Sequence, residues 1–201
     1  MSAERGTWVA GILAPMSDAS LPTVLVLASG RGERFLASGG RVHKLQALLA
    51  GKAVLQRTLD AVRASGLPWH LEDIGHPGMG DSIAAAVRAT QGAAGWLVLP
   101  ADLPLVQART LRAVADALND GAGAVQPAYA GKRGHPVAFA ARWGAALAAL
   151  AGAQGAAAAL KALRDVGDVT DLPVDDVGVV TDIDTLDDLA RAEALFLSSS
   201  R

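Results

Sequence analysis

Two kinds of apolar pattern alternate along the chain. Continuous runs of β-branched residues and leucine stand at 23–27 (TVLVL) and 96–99 (WLVL). Neither alternates with polar residues, so each predicts a strand covered on both faces, as in a parallel sheet. Between them the apolar positions recur at helical spacing. Val54, Leu55, Leu59 and Val62 share one side of a predicted helix over 54–64, which Gly66-Leu67-Pro68 stops. Further helices are predicted over 81–90, where Asp81 and Ser82 supply the start, over 108–118 and over about 186–195. Shorter strands are predicted over 69–74, 124–128, 136–140 and, as the last strand, 177–180. The 124–128 and 136–140 strands are joined through Gly131-Lys132-Arg133-Gly134 in a hairpin-like excursion. A glycine-rich turn fills 30–40. Strands alternating with helices predict one α/β domain, a mainly parallel sheet flanked by helices.

The most apolar stretch, Trp143 to Leu160, is long enough for a membrane span by the roughly 18-residue criterion. It is mostly alanine, and Gly152, Gln154 and Gly155 interrupt it. Two short buried helices are expected instead. Residues 1–20 mix Gly, Pro, Ser and Ala without period and have no basic segment followed by a dense apolar run. They are read as a flexible N-terminal extension without a signal peptide, and a cytoplasmic protein is expected.

Composition narrows the chemistry. The chain has 201 residues, enough for one domain with a sizeable core. Its 18 basic and 20 acidic residues give a net charge of −2, against a nucleic-acid binder working by bulk charge. Cysteine is absent, which excludes disulfides and thiolate metal sites. His43, His70 and His76 lack zinc spacing.

In α/β sheets, ligands sit beyond the C-terminal ends of the strands, and the unusual polar residues follow predicted strands. After the first comes Leu27-Ala28-Ser29-Gly30-Arg31-Gly32-Glu33-Arg34. Its glycines allow a sharp turn that exposes N–H groups to phosphate oxygens, Arg34 adds a forked donor, and Lys44 adds a second cation. It is neither a Walker loop nor a dinucleotide fingerprint, and a glycine turn with solvated charges fits it equally well. Asp102, between Pro100 and Pro104, and Asp182 each follow a predicted strand. Two carboxylates on one pocket repel unless they hold a cation or a proton. Mg²⁺ suits such a pair, since it keeps waters and completes its shell with substrate phosphates. Thr185 with Asp188 has the spacing of a capping box, so Asp182 is assigned to the metal and Asp184 to the cap or to support behind the metal. Gly78-Met79-Gly80-Asp81-Ser82 permits close approach of a base or ribose, although Asp81 alone reads as a helix cap. Lys132-Arg133-Gly134-His135-Pro136 combines two cations with a histidine and suits an anionic group.

Taken together, these segments resemble the molybdenum cofactor nucleotidyltransferases. Residues 27–35 fit the opening signature L-A-[AGS]-G-x-[GS]-x-R-[FM]; Lys44-Leu45 and Gly51-Lys52-Ala53-Val54-Leu55 resemble the K-L pair and G-K-P-L turn. Gly78 to Ser82 resembles G-M-x-x-S, Asp102-Leu103-Pro104 the D-x-P strand end, residues 134–136 G-H-P, and residues 182–189 D-x-D-T-x-x-D-L. Each segment alone is common, but six in the family's order are specific. The similarity runs over about residues 23–195.

The resemblance implies a Rossmann-like nucleotidyltransferase domain over 21–197, with Mg²⁺ as cofactor. It implies attack of a phosphorylated acceptor on a nucleoside triphosphate with release of pyrophosphate. On this reading Arg34, Lys44, Asp102 and Asp182 are catalytic, and Asp102 and Asp182 hold the metal between the reacting phosphates. Leu27, Ala28, Ser29, Gly30, Arg31, Gly32, Gly80 and Ser82 bind the nucleotide. Lys132, Arg133 and His135 meet the acceptor, a molybdenum-pterin phosphate, with a molybdoenzyme as recipient. Cytidylyl relatives tend to carry alanine at the Ser29 position and guanylyl relatives glycine; serine fills space much as alanine does, so CTP is favoured over GTP. A sugar or polyol phosphate acceptor, or a non-catalytic nucleotide-binding or cofactor-delivery protein, are the other readings.

This chain departs from the family in three places. The stretch between Ser65 and Gly78 is short, so one early βα unit is expected to be missing. Ala53 replaces a proline. Gly152-Ala153-Gln154-Gly155-Ala156-Ala157 stands where relatives carry G-D-x-G-A-R, without the acid and the base.

Overall fold

In the computed structural model, which describes residues 21–199, the TVLVL run forms strand β1 (Thr23–Leu27), buried at every position. The proposed extension over 1–20 lies outside the described residues. After β1 the chain forms a short helix α1 (Glu33–Ala37) and a two-stranded ribbon, β2 (Leu48–Leu49) with β3 (Lys52–Ala53). Helix α2 (Val54–Ser65), strand β4 (Trp69–Glu72), helix α3 (Met79–Ala89) and strand β5 (Gly95–Pro100) follow. Then come α4 (Ala108–Asn119), β6 (Ala124–Tyr129), β7 (Lys132–Arg133) and β8 (Val137–Ala140). The chain continues through α5 (Gly144–Ala148), α6 (Ala157–Asp165), β9 (Val169–Pro173) and α7 (Leu186–Ser199).

The main sheet is ordered β4-β1-β5-β8-β6, with β7 and β9 both paired to β6. Parallel pairing joins β4, β1 and β5, and again β6 and β9. Because β8 is antiparallel to both β5 and β6, those two run the same way. The sheet is therefore mostly parallel, with β8 and β7 reversed, as the sequence predicts. Strand β4 leads through residues 73–78 directly into α3 and forms one edge of the sheet.

Continuous apolar runs follow from coverage on both faces. Val24, Val26, Leu97 and Leu99 pack with Leu59 and Val62 of α2 and Leu111 and Val114 of α4. Leu25, Leu27, Trp96 and Val98 pack on the other face with Ile83 and Val87 of α3, Leu147 of α5 and Leu163 of α6. Each such side chain stabilises the fold by roughly 1.5–3 kcal/mol. The alanine-rich stretch forms two short helices, α5 and α6, separated around Gly152 and Gly155. No helix among the described residues is long and apolar enough to cross a membrane.

One prediction is corrected. Residues 177–180 form a 3-10 turn, not the last strand. Asp176 caps it: its carboxylate accepts from Gly178 N at 2.9 Å, Gln107 N at 3.0 Å and Thr110 Oγ1 at 2.6 Å, which ties the turn to the start of α4. The last strand is instead β9, paired with β6.

Candidate active site

The C-terminal ends of β1, β4 and β5 open on one edge of the sheet. Because β8 is reversed, the residues just before its start, His135 among them, reach the same edge. A cavity of about 760 Å³ lies there. After β1 the chain turns at Gly32, whose φ of 66° is left-handed and suits glycine. His43 clamps this loop: its Nδ1 accepts from Leu45 N at 3.3 Å, so Nε2 carries the proton and donates to the Gly30 carbonyl at 2.8 Å.

The 177–183 segment brings distant carboxylates together. Gly134 lies so close to it that a Cβ there would meet the Val179 carbonyl oxygen at 2.1 Å. His135 N donates to the same carbonyl at 2.9 Å, and Ile183 N donates to the Asp102 carbonyl at 3.0 Å. The buried Thr58 hydroxyl of α2 donates to the Ala101 carbonyl at 2.9 Å and holds the chain just before Asp102. Asp102, Asp182 and Asp184 thus share one cavity wall.

Lys44 stands among these acids. Its Nζ is 2.6 Å from Asp102 Oδ2 and 2.9 Å from Asp184 Oδ1, and Arg34 reaches Asp184 Oδ2 at 2.6 Å. Burial opposes the lysine's charge, but Asp102 and Asp184 outweigh it and hold the pKa above the usual lysine value. Burial pushes the His135 imidazole pKa down, against the pull of the Asp102 and Asp182 charges and a hydrogen bond to the Val98 carbonyl.

Asp184 therefore does not cap α7. Thr185 and Asp188 do: Thr185 N donates to Asp188 Oδ2 at 2.8 Å and Asp188 N donates to Thr185 Oγ1 at 3.2 Å. The D-x-D spacing was the signal that both Asp182 and Asp184 face the site.

The opposite end of the cavity is built differently. Ser29 Oγ and Ser82 Oγ, from the β1 loop and the first turn of α3, are 2.6 Å apart. His76 lines the wall, and its Nε2 is 3.1 Å from Oε1 of the buried Glu72. His70 Nε2 lies 3.4 Å from Oε2 of the same carboxylate. Burial pushes the Glu72 pKa up, but the hydrogen bonds from His76 and His70 prevail and hold it below the usual carboxylate value.

Of the residues singled out from the sequence, Arg34, Lys44, Asp102, Asp182, Leu27, Ala28, Ser29, Gly30, Arg31, Gly32, Ser82, Lys132, Arg133 and His135 line this cavity. Gly80 does not. It is buried where a Cβ would meet Ala151 backbone at 2.8 Å, and its N–H donates to the Gly152 carbonyl, so this glycine serves close packing of α3. Arg133 is on the wall but committed to Asp171, at 2.8 Å, and that carboxylate holds its pKa above the usual arginine value. His135 has its Nδ1 buried and unpartnered instead of projecting toward an acceptor.

The carboxylates fit a divalent cation. Asp102 Oδ1 is buried without a hydrogen-bond partner among the described residues. Asp182 has neither ion pair nor hydrogen bond there. Among the described residues no group of three or more His, Asp or Glu is placed to hold a metal ion by itself. Carboxylate oxygens of this kind are the donors a hard divalent cation takes.

The sequence profile of the MobA-like NTP transferase domain matches residues 60–166, just over half of the chain. The chain belongs to this family. The matched span holds Asp102 and His135, while the Gly30–Arg34 loop and Asp182 lie outside it. Among curated proteins none matches the chain. Solved structures share the fold. Rv0371c of Mycobacterium tuberculosis H37Rv is 24% identical with a TM-score of 0.71, the alignment covering 87% of this chain and 98% of that one. Rv0371c has also been solved in complex with manganese. A nucleotidyl transferase from Methanothermobacter is 21% identical with a TM-score of 0.72, covering 89% and 99%. Molybdopterin-guanine dinucleotide biosynthesis protein A from Archaeoglobus fulgidus is 20% identical with a TM-score of 0.58, covering 88% and 99%. The chain is thus a member of the nucleotidyltransferase superfamily.

Proposed function

We propose that residues 21–197 form an NTP transferase domain that moves CMP from CTP to the phosphate of a molybdenum-pterin cofactor. A phosphate oxygen of the acceptor attacks the α-phosphorus, the bond to the bridging oxygen of the β-phosphate breaks, and pyrophosphate leaves. The observation that carries this reading is one cavity lined by Asp102, Asp182, Lys44 and the Gly30–Arg34 loop.

The chain's own groups divide the work. The N–H groups of the Gly30–Gly32 turn and the Arg34 guanidinium receive the β- and γ-phosphates. Lys44, held beside Asp102, neutralises charge on the leaving pyrophosphate. Lys132 meets the acceptor phosphate. Ser29 and Ser82 flank the base. Asp102 and Asp182 would hold Mg²⁺, which supplies charge neutralisation on phosphate oxygens when bound. Transfer of this kind rests on positioning and electrostatics, with little covalent work for the protein.

The test is pyrophosphate release from CTP and Mg²⁺ across acceptors. Release with the molybdenum-pterin phosphate supports the proposal. Release with sugar or polyol phosphates alone reassigns the acceptor, and nucleotide binding without release under any acceptor favours a delivery protein. Titration calorimetry with Mg²⁺ is expected to show CTP binding more tightly than GTP; the reverse order overturns the choice of nucleotide.

A further inference from the structure

On the β4 side of the cavity stands an imidazole, His76, hydrogen-bonded to the buried Glu72. We infer that His76, held by Glu72, reads the nucleobase and selects one bearing an exocyclic amino group, cytosine or adenine, over one bearing a keto oxygen in the same place. The inference rests on the reading of this cavity as a nucleoside triphosphate site.

Strand order sets the direction in which such a ligand lies. β5, which leads to Asp102, flanks β1 on one side, and β4, which leads to His76, flanks it on the other. The β1 loop with its glycines stands between them. Arg34 and Lys44 pair with the carboxylates, so the phosphates belong on that side. On the other side Glu72 is a buried carboxylate that repels them. What lines the wall there is His76, Pro77, Met79 and the Ser82 hydroxyl. Such a surface suits a flat, uncharged, partly polar group.

The polarity of His76 follows from its partner. An ionised carboxylate only accepts hydrogen bonds, so the His76 Nε2 that lies 3.1 Å from Glu72 Oε1 carries the proton. In the neutral ring Nδ1 is then a bare lone pair, and it has no partner among the described residues. The Glu72 carboxylate cannot rotate freely, because His70 at 3.4 Å holds its other oxygen and the Ile74 N–H also donates to the group. Glu72 is thus a positioning residue, and His76 Nδ1 is an acceptor of fixed identity. An amino group donates to it; a keto oxygen meets a second lone pair and leaves both unsatisfied. Discrimination of this kind is large because the wrong base leaves polar atoms unpaired.

The experiment compares CTP with UTP, and ATP with ITP, each pair exchanging an amino group beside a bare ring nitrogen for a keto oxygen beside a ring N–H. Binding is measured calorimetrically with Mg²⁺ at pH 8.5, above the ordinary histidine range. The wild-type chain is expected to bind CTP about tenfold or more tightly than UTP. In His76→Ala the ratio is expected to fall to within about threefold, while inorganic pyrophosphate, which has no base, binds both proteins alike. Equal binding of the amino and keto partners by the wild type, or a ratio unchanged in His76→Ala, overturns the inference and leaves the triphosphate site standing. Failure of every nucleotide to bind the wild type, with its unfolding transition intact, overturns the triphosphate reading and this inference with it.

Discussion

Lys44→Met is expected to lower pyrophosphate release by roughly 10²–10³-fold, the scale seen when one preorganised charge-stabilising donor is lost. The same substitution is expected to tighten binding of Mn²⁺ to the nucleotide-free protein about tenfold, because a cation then replaces the lost lysine among ligands of like charge. Both effects come from one geometry. The ammonium sits 2.6 Å from Asp102 and 2.9 Å from Asp184, with Asp182 on the same cavity wall. Methionine keeps most of the aliphatic stem and removes the charge. The carboxylates then repel one another with nothing between them, and a divalent ion relieves that repulsion. Turnover and paramagnetic resonance of Mn²⁺ read the two effects separately. Unchanged turnover, or weaker metal binding in the variant, contradicts the account.

Asp182→Asn has the second large effect and is the cleaner substitution. The Asp182 carboxylate makes no hydrogen bond or ion pair with the described residues, so the fold does not depend on it. The unfolding transition is expected to stay within about 0.5 kcal/mol of wild type, as for substitutions outside structural contacts. Turnover is expected to fall by about 10³-fold or more, since losing a metal's charge at a phosphoryl centre costs several kcal/mol of transition-state stabilisation. Asp102→Asn is less selective, because Asp102 also pairs with Lys44. An Asp182→Asn protein that turns over normally removes Asp182 from the chemistry.

The strands with continuous apolar runs were readable because coverage on both faces leaves no room for polar positions. The same rule misled at 177–180. A run of four apolar residues is short enough to be a buried turn, and periodicity cannot separate the two. What decided the matter was Asp176, whose buried carboxylate takes three backbone and hydroxyl donors across the junction with α4. Strand β9 was unreadable for the opposite reason. Its sequence, VTDLP, carries an acid and ends in proline, and only its pairing with β6 makes it a strand. Helix α1, inside the stretch predicted as a glycine-rich turn, is too short for periodicity to show.

In the site, residues next to strand ends were legible because topology gathers those ends on one edge. Partnerships were not. Nothing local says that Arg133 is taken by Asp171, a residue of the edge strand the sequence did not reveal. Nothing local says that Gly80 meets the backbone at Ala151. The Glu72–His76 pair is only four residues apart, but no helix spans it. It depends on β4 entering the sheet beside β1 and returning at once into α3.

Mn²⁺ binding in the presence of CTP, followed by paramagnetic resonance, tests most directly whether Asp102 and Asp182 act on a common ion. The wild-type protein is expected to hold the ion with CTP, and Asp102→Asn and Asp182→Asn are each expected to weaken it about tenfold or more, as loss of one of few protein ligands does. Undiminished Mn²⁺ affinity in both variants, with CTP still bound, contradicts a shared site.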